Sequence, residues 1–352
     1  MNYLPLKIGD KVAKWPIVQG GMGVGVSLSS LAGAVAAEGG VGIISSAQIG
    51  FKNSLFETNP FMANLKAIEE EFLKARKIAP EGIIGFNIMV ALKHYKEYVV
   101  KAASVGADII ISGAGLATSL PEYVSGYMTK IAPIVSSKRA AEVLLKLWDR
   151  RYKRTADMVV IEGPKAGGHL GFSKEELVNI TDEGYEKEIC DIIETVKSYG
   201  KKYAVDIPVI VAGGIDSSEE VRKIMSLGAN GVQVASRFVT SYECDVDAAF
   251  KQAYIDSKKE DIEIVTSPVG MPGRAIKNKF IQNVENGQKQ KVKKCYGCLE
   301  KCSITDIPYC ITEALINAAK GDVENGLVFC GANTYKIKKL ESVNEIIESL
   351  LK

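Results

Sequence analysis

Eight short runs of apolar, largely β-branched residues recur between residues 16 and 234, and each is followed by polar or glycine-rich sequence. They are Pro16–Gln19, Val41–Ile44, Ile83–Asn87, Asp108–Ile111, Ala132–Val135, Met158–Ile161, Pro208–Val211 and Gly231–Val234. Runs this continuously apolar suit strands covered on both faces, as in parallel sheets. Between several of them lie helical patterns, Leu28–Glu38, Tyr95–Ser104, Arg139–Trp148 and Ser217–Leu227. The last opens on Asp216-Ser-Ser-Glu219, which reads as a capping box. Glycine follows several helices, as in Glu38-Gly-Gly-Val41 and Leu227-Gly-Ala-Asn230, a stop signal before the next strand. Eight strand–helix units predict a (β/α)8 TIM barrel, with an open doubly wound sheet as the alternative.

Two insertions and a tail stand outside the repeat. Phe172–Tyr199 reads as a loop plus helix after the sixth strand. Ser257–Lys294 is polar and rich in Lys and Gln, and it leads to Cys295-x2-Cys298-x3-Cys302-x7-Cys310. Pro308–Ala319 and the amphipathic Val343–Leu351 read as helices. The expected division is therefore a barrel over 1–256 and a cysteine-bearing extension or lid over 257–352. Thiols at Cys-x2-Cys spacing suit zinc or an iron–sulfur cluster, but no histidine lies near. The odd count of seven cysteines argues against a disulfide framework, so an inert or structural set is expected, with no metal. Charge excludes other classes: 44 basic against 42 acidic residues leaves +2, which gives no footprint for nucleic acid or a membrane surface. With neither a signal peptide nor an apolar span, a cytoplasmic protein acting on a small molecule is expected, of undetermined oligomeric state.

The carboxyl ends of the predicted strands carry the chemistry. Strands seven and eight end in Ala212-Gly-Gly-Ile215 and Gln233-Val-Ala-Ser-Arg237, paired loops that suit a phosphate at backbone N–H groups. Strands three to five end in Asn87, Ser112-Gly-Ala-Gly115 and Ser136-Ser137, all small or polar. Gln19-Gly-Gly-Met-Gly-Val-Gly25 looks like a dinucleotide loop, but no acidic residue follows where ribose recognition needs it. Its place instead suits close approach to a flat ring. His169, in Glu162-Gly-Pro-Lys-Ala-Gly-Gly-His-Leu-Gly171, is the candidate acid–base group. The other histidine, His94, is expected on a solvent-exposed helical surface.

Pro16–Met22, Gly85-Phe-Asn87, Glu162–Gly171, Ala212–Ile215, Gly231–Arg237 and Gly273–Asn278 together resemble the nitronate monooxygenases, formerly 2-nitropropane dioxygenases. The FMN-dependent enoyl-acyl-carrier-protein reductases share these motifs. The resemblance spans residues 10 to 280 and implies an FMN-dependent oxidoreductase on a (β/α)8 barrel. It implies catalysis by His169, and FMN contacts at Gly21, Met22, Asn87, Glu162, Gly167, Gly168, Gly213, Gly214, Gln233, Val234, Ala235 and Ser236. Ala235-Ser236 stands where Gly-Thr is usual, Glu162 where glutamine is common in the monooxygenases, and Lys165 where glutamate is frequent. The implied reaction is oxidation of alkyl nitronates by O2 to carbonyl compounds and nitrite. The alternative is reduction of an enoyl thioester with NAD(P)H, which asks for a basic carrier-docking surface drawn from Lys138, Arg139, Lys165 and Arg274.

Overall fold

All eight runs become strands of one closed, all-parallel barrel in the computed structural model, which describes residues 3–268 and 270–352. A hairpin, β1 (Leu6–Ile8) and β2 (Lys11–Ala13), precedes it. The barrel strands are β3 (Ile17–Gln19), β4 (Val41–Ser45), β5 (Ile83–Asn87), β6 (Ile109–Ser112), β7 (Lys130–Val135) and β8 (Val159–Glu162). A two-residue strand β9 (Gly168–His169) follows outside the barrel, which β10 (Val209–Ala212) and β11 (Gly231–Val234) complete. Closure runs from β11 to β3, with Val232 opposite Ile17 and Val234 opposite Gln19. Alternate side chains fill the interior: Ile43, Ile109, Ile111, Val160 and Ile210 pack together with Leu6 and Ile8 of the hairpin. The barrel is therefore plugged from below by its own N-terminal residues.

The surrounding ring follows the strands: α1 (Ser29–Ala37), α2 (Pro60–Ile78), α3 (Tyr95–Ser104), the one-turn α4 (Leu120–Tyr123) and α5 (Lys138–Tyr152). The insertion after β8 forms two helices, α6 (Lys174–Asn179) and α7 (Asp182–Tyr203), and only α7 joins the ring. Ser217 caps α8 (Ser218–Ser226) by accepting the Glu220 N–H. After β11 come α9 (Ser236–Val239) and α10 (Ala248–Asp256), then a hairpin, β12 (Ile262–Thr266) and β13 (Pro272–Ile276). That hairpin was not foreseen in the polar stretch 257–294; β13 pairs with β9, at Gly273 opposite His169. The chain ends in α11 (Lys279–Glu285), α12 (Ile311–Ala319) and α13 (Val343–Leu351).

The eighth place in the ring belongs to α13, which packs between α8 and α1. Its apolar face, Val343, Ile346, Ile347 and Leu350, is wholly buried in the barrel's outer core. His94 departs from expectation. Its ring is half-buried, 4.1 Å from that of Phe61, because α2 packs on the start of α3. Among the described residues, no helix is long and apolar enough to cross a membrane.

Candidate active site

A cavity of about 430 Å³ opens at the carboxyl ends of the barrel strands. The loop after β3 forms one wall. Buried Gln19 shapes it, donating to Ser27 Oγ (2.9 Å) while its Oε1 accepts the Ile43 N–H (2.9 Å). Ser27 in turn accepts the Met22 N–H at 2.9 Å. Gly21 lies so close to β5 that a Cβ there would stand 2.3 Å from that of Asn87. The following helix, α1, has no anion vacancy at its start. Asp245 takes the N–H groups of Leu28, Ser30 and Leu31 at 2.9–3.1 Å, and Glu71 takes that of Ser29 at 3.0 Å. The glycine run is thus no dinucleotide site: the protein's own carboxylates hold the donors a pyrophosphate needs.

The loop after β8 forms the opposite wall and carries both titratable candidates. The Glu162 carboxylate faces the cavity and accepts the Gly171 N–H at 3.4 Å, while Tyr185 Oη donates to its backbone carbonyl at 2.7 Å. Burial pushes its carboxyl up to about 7. His169 shares 2.8 Å with Ser267 Oγ through Nε2 and sets its ring edge-on to Phe329 at 5.0 Å. Burial pushes its imidazolium down to about 4, so the ring is neutral at physiological pH. Arg274, on β13, turns inward and donates to the carbonyls of Pro164 (2.9 Å) and Ala166. The hairpin thereby fixes the loop that presents His169.

Gly213 and Gly214, at φ +102° and +79°, line the third wall with Gln233, Ala235 and Ser236. A Cβ on Gly214 would lie 2.9 Å from that of Lys165. The Gln233 Oε1 is buried without a partner among the described residues, an acceptor aimed at whatever fills the cavity. Val234 is placed elsewhere: its side chain faces the outer core, because residues alternate along a strand, and its carbonyl accepts the Gly20 N–H. Ser112 is likewise drawn out of the site by Tyr95 Oη at 2.9 Å.

The residues not anticipated are Phe329–Thr334, far along the chain. Gly331 N–H donates to Ser236 Oγ (3.1 Å), Asn333 to the Gly214 carbonyl (2.8 Å) and Ala332 N–H to the Lys165 carbonyl (3.1 Å). The small, polar run Gly331-Ala-Asn-Thr334 after apolar Leu327-Val328 was the available signal. Of the basic residues considered for carrier docking, Lys138 and Lys165 pair with Asp191 (3.9 Å) and Asp182 (2.7 Å), Arg139 is exposed, and Arg274 is turned inward. Among the described residues, no group of three or more His, Cys, Asp or Glu is placed to hold a metal ion.

A family model described as nitronate monooxygenase matches residues 6–352. A probable nitronate monooxygenase of Staphylococcus saprophyticus is 33% identical over 129 residues, 36% of this chain and 34% of that protein. One from Staphylococcus aureus is 33% identical over 135 residues, 38% of this chain and 35% of that protein. The matched region thus spans about a third of the length of these curated relatives. Among solved structures, FabK from Thermotoga maritima superposes with a TM-score of 0.72 at 23% identity, over 96% of this chain and 92% of that one. Nitroalkane oxidase from Streptomyces ansochromogenes gives 0.71 at 17% identity, over 96% and 95%. At these identities the two superpositions bear on the fold alone.

Proposed function

Because the chain belongs to the nitronate monooxygenase family, we propose that it is an FMN-dependent oxidoreductase that oxidises alkyl nitronates with O2 to carbonyl compounds and nitrite. The cavity residues fit the flavin. Gln233 offers an orphaned buried acceptor, and Gly213 and Gly214 bring bare backbone to the cavity wall. Ser236 Oγ accepts from Gly331 and Thr334 and keeps its own proton to donate, as a phosphate requires. Glu162, Asn87, Gly21 and Met22 would flank the ring. When bound, FMN supplies the electron-accepting chemistry, which no side chain here can provide.

What supports an anionic nitronate as substrate is the family match together with the His169 imidazole, fixed 2.8 Å from Ser267 Oγ, set edge-on to Phe329 and left neutral by burial. A buried imidazole with a conjugate acid near pH 4 is a poor base towards a neutral nitroalkane, whereas it orients an anion through a ring N–H. Below about pH 7 the Glu162 carboxyl is neutral as well and sets no charge against an incoming nitronate, while Asp216, also on the cavity wall, is paired with Lys336 at 2.9 Å. Ser267 and Phe329 hold the imidazole plane in place, and Arg274 holds its loop. With Lys165 paired to Asp182 and Arg274 turned inward, Lys138 and Arg139 alone of the four candidates stay outward, which weighs against a broad basic surface for an acidic acyl carrier.

The test is anaerobic stopped-flow bleaching of the flavin by propionate 3-nitronate, NADH and NADPH separately. Rapid reduction by the nitronate alone is expected. Rapid reduction by a nicotinamide with no nitronate response would overturn the reading in favour of an enoyl reductase.

A further inference from the structure

Beside His169 the main cavity continues into a small apolar chamber of about 50 Å³. Val24, Ala47, Met89, Met271 and Leu315 face both spaces, as does His169 itself. The chamber's far wall is Leu92, Ile311, Cys298 and Leu299, so the cysteine-bearing segment closes it. That segment is seated firmly. Leu299 bridges Leu92 in antiparallel register, Lys93 N–H donates to the Cys298 carbonyl (3.2 Å), and Glu300 N–H to that of Ala91 (3.1 Å). Tyr296 stacks on Phe56 at 5.3 Å, and Lys294 pairs with Glu57 at 3.1 Å.

The chamber offers little to water. Of its polar neighbours, Gln48 Oε1 already accepts from Asn64 (3.1 Å), the buried Thr312 side chain is hydrogen-bonded with the Cys298 thiol, and that half-buried thiol is held neutral, a weakly polar surface. An apolar space of this kind stays dry or takes an apolar group. Since about 10–15 Å³ is the least space that holds one water-sized group, it admits at most about three to five such groups.

We propose that this chamber receives the alkyl chain of the substrate, with Leu299 and Cys298 setting a limit of about three to five carbons beyond the reacting carbon. The inference rests on the nitronate reading for the identity of the head group, but the chain-length limit belongs to the chamber. In the cavity the reacting carbon lies at His169 and the chain points away from the flavin positions, under the tail.

The flavin's visible spectrum in the holoenzyme, titrated with unbranched carboxylates from acetate to octanoate, tests it without turnover. Affinity should rise about four-fold per methylene, the value of one buried CH2, and then stop or fall once the chamber is full. Leu299→Trp should flatten the series, and Leu299→Ala should move the break one or two carbons outward; flavin content reports that each variant has folded. Oxygen uptake with nitronates of the same chain lengths is measured alongside. A break in the carboxylate series with no nitronate oxidised upholds the chamber and overturns the nitronate reading. Nitronate turnover with no chain-length break does the reverse. If neither series breaks, or Leu299→Trp leaves the break unmoved, the chamber proposal is wrong.

Discussion

Gly167 and Cys330, 163 positions apart, touch backbone to backbone: a Cβ on Gly167 would lie 2.6 Å from the Cys330 carbonyl. Cys330 is fixed in turn, its N–H donating to the Arg274 carbonyl at 3.0 Å. The histidine loop, the β12–β13 hairpin and the segment Phe329–Thr334 therefore form one rigid assembly over the barrel mouth. Gly167→Ala should cost about 1–3 kcal/mol by overpacking and should loosen flavin retention. Gly168→Ala, where φ is +72° but nothing lies within 4 Å, should cost only the backbone strain of about 1–2 kcal/mol. Denaturant melts and the flavin content of the two variants check the contrast.

His169→Asn should leave flavin content intact and lower kcat/KM for a nitronate by about 10²-fold. Because the imidazole stays neutral above about pH 4, the loss should be the same at pH 6 and pH 9. A loss that varies across that range would show that His169 titrates within it, against the shift that burial imposes.

Glu162 predicts an unusual stability profile. Its folded carboxyl is raised from 4.5 to about 7, so its stabilisation is complete below about pH 4.5 and is lost as pH rises through 7. His169 works in the opposite sense. Its folded pKa is depressed from 6.5 to about 4, so its contribution is present above 6.5 and lost as pH falls toward 4. Glu162→Gln removes the first effect alone. Relative to wild type, the flavin-free variant should gain about 1–3 kcal/mol between pH 5 and pH 8, read as a growing difference in Tm.

The ring position of α13 makes the end of the chain part of the barrel. Ile346→Ala removes a wholly buried side chain and should cost about 2–5 kcal/mol. Glu348→Ala, on the exposed face of the same helix, should fall within about 0.5 kcal/mol of wild type. Equal effects in chemical denaturation would show that α13 is peripheral.

The seven thiols should separate by burial. Cys295 and Cys302 are exposed and should react first with an aromatic disulfide reagent. Cys244 and Cys330 are buried, with thiols pushed up to about 12, and should react only after unfolding.

The sequence by itself determined the barrel and most of its mouth. Eight apolar runs encode strands buried on both faces, and that pattern is local, so Ile83–Asn87 and Gly231–Val234 were legible to the residue. Glycine, serine and asparagine at the strand ends were legible for the same reason, since a strand's carboxyl end meets the cavity wherever the barrel closes. Only the tertiary structure decided what lies above them. The hairpin that pairs with His169, the Cys330 backbone against Gly167 and the carboxylates of Asp245 and Glu71 on α1 join residues distant in sequence. No local periodicity records such contacts, because their backbone groups find partners only after the chain has folded back. The same holds for charge. Glu162 and His169 carry ordinary acid–base groups in the sequence, and it is burial in the assembled cavity that moves one up and the other down.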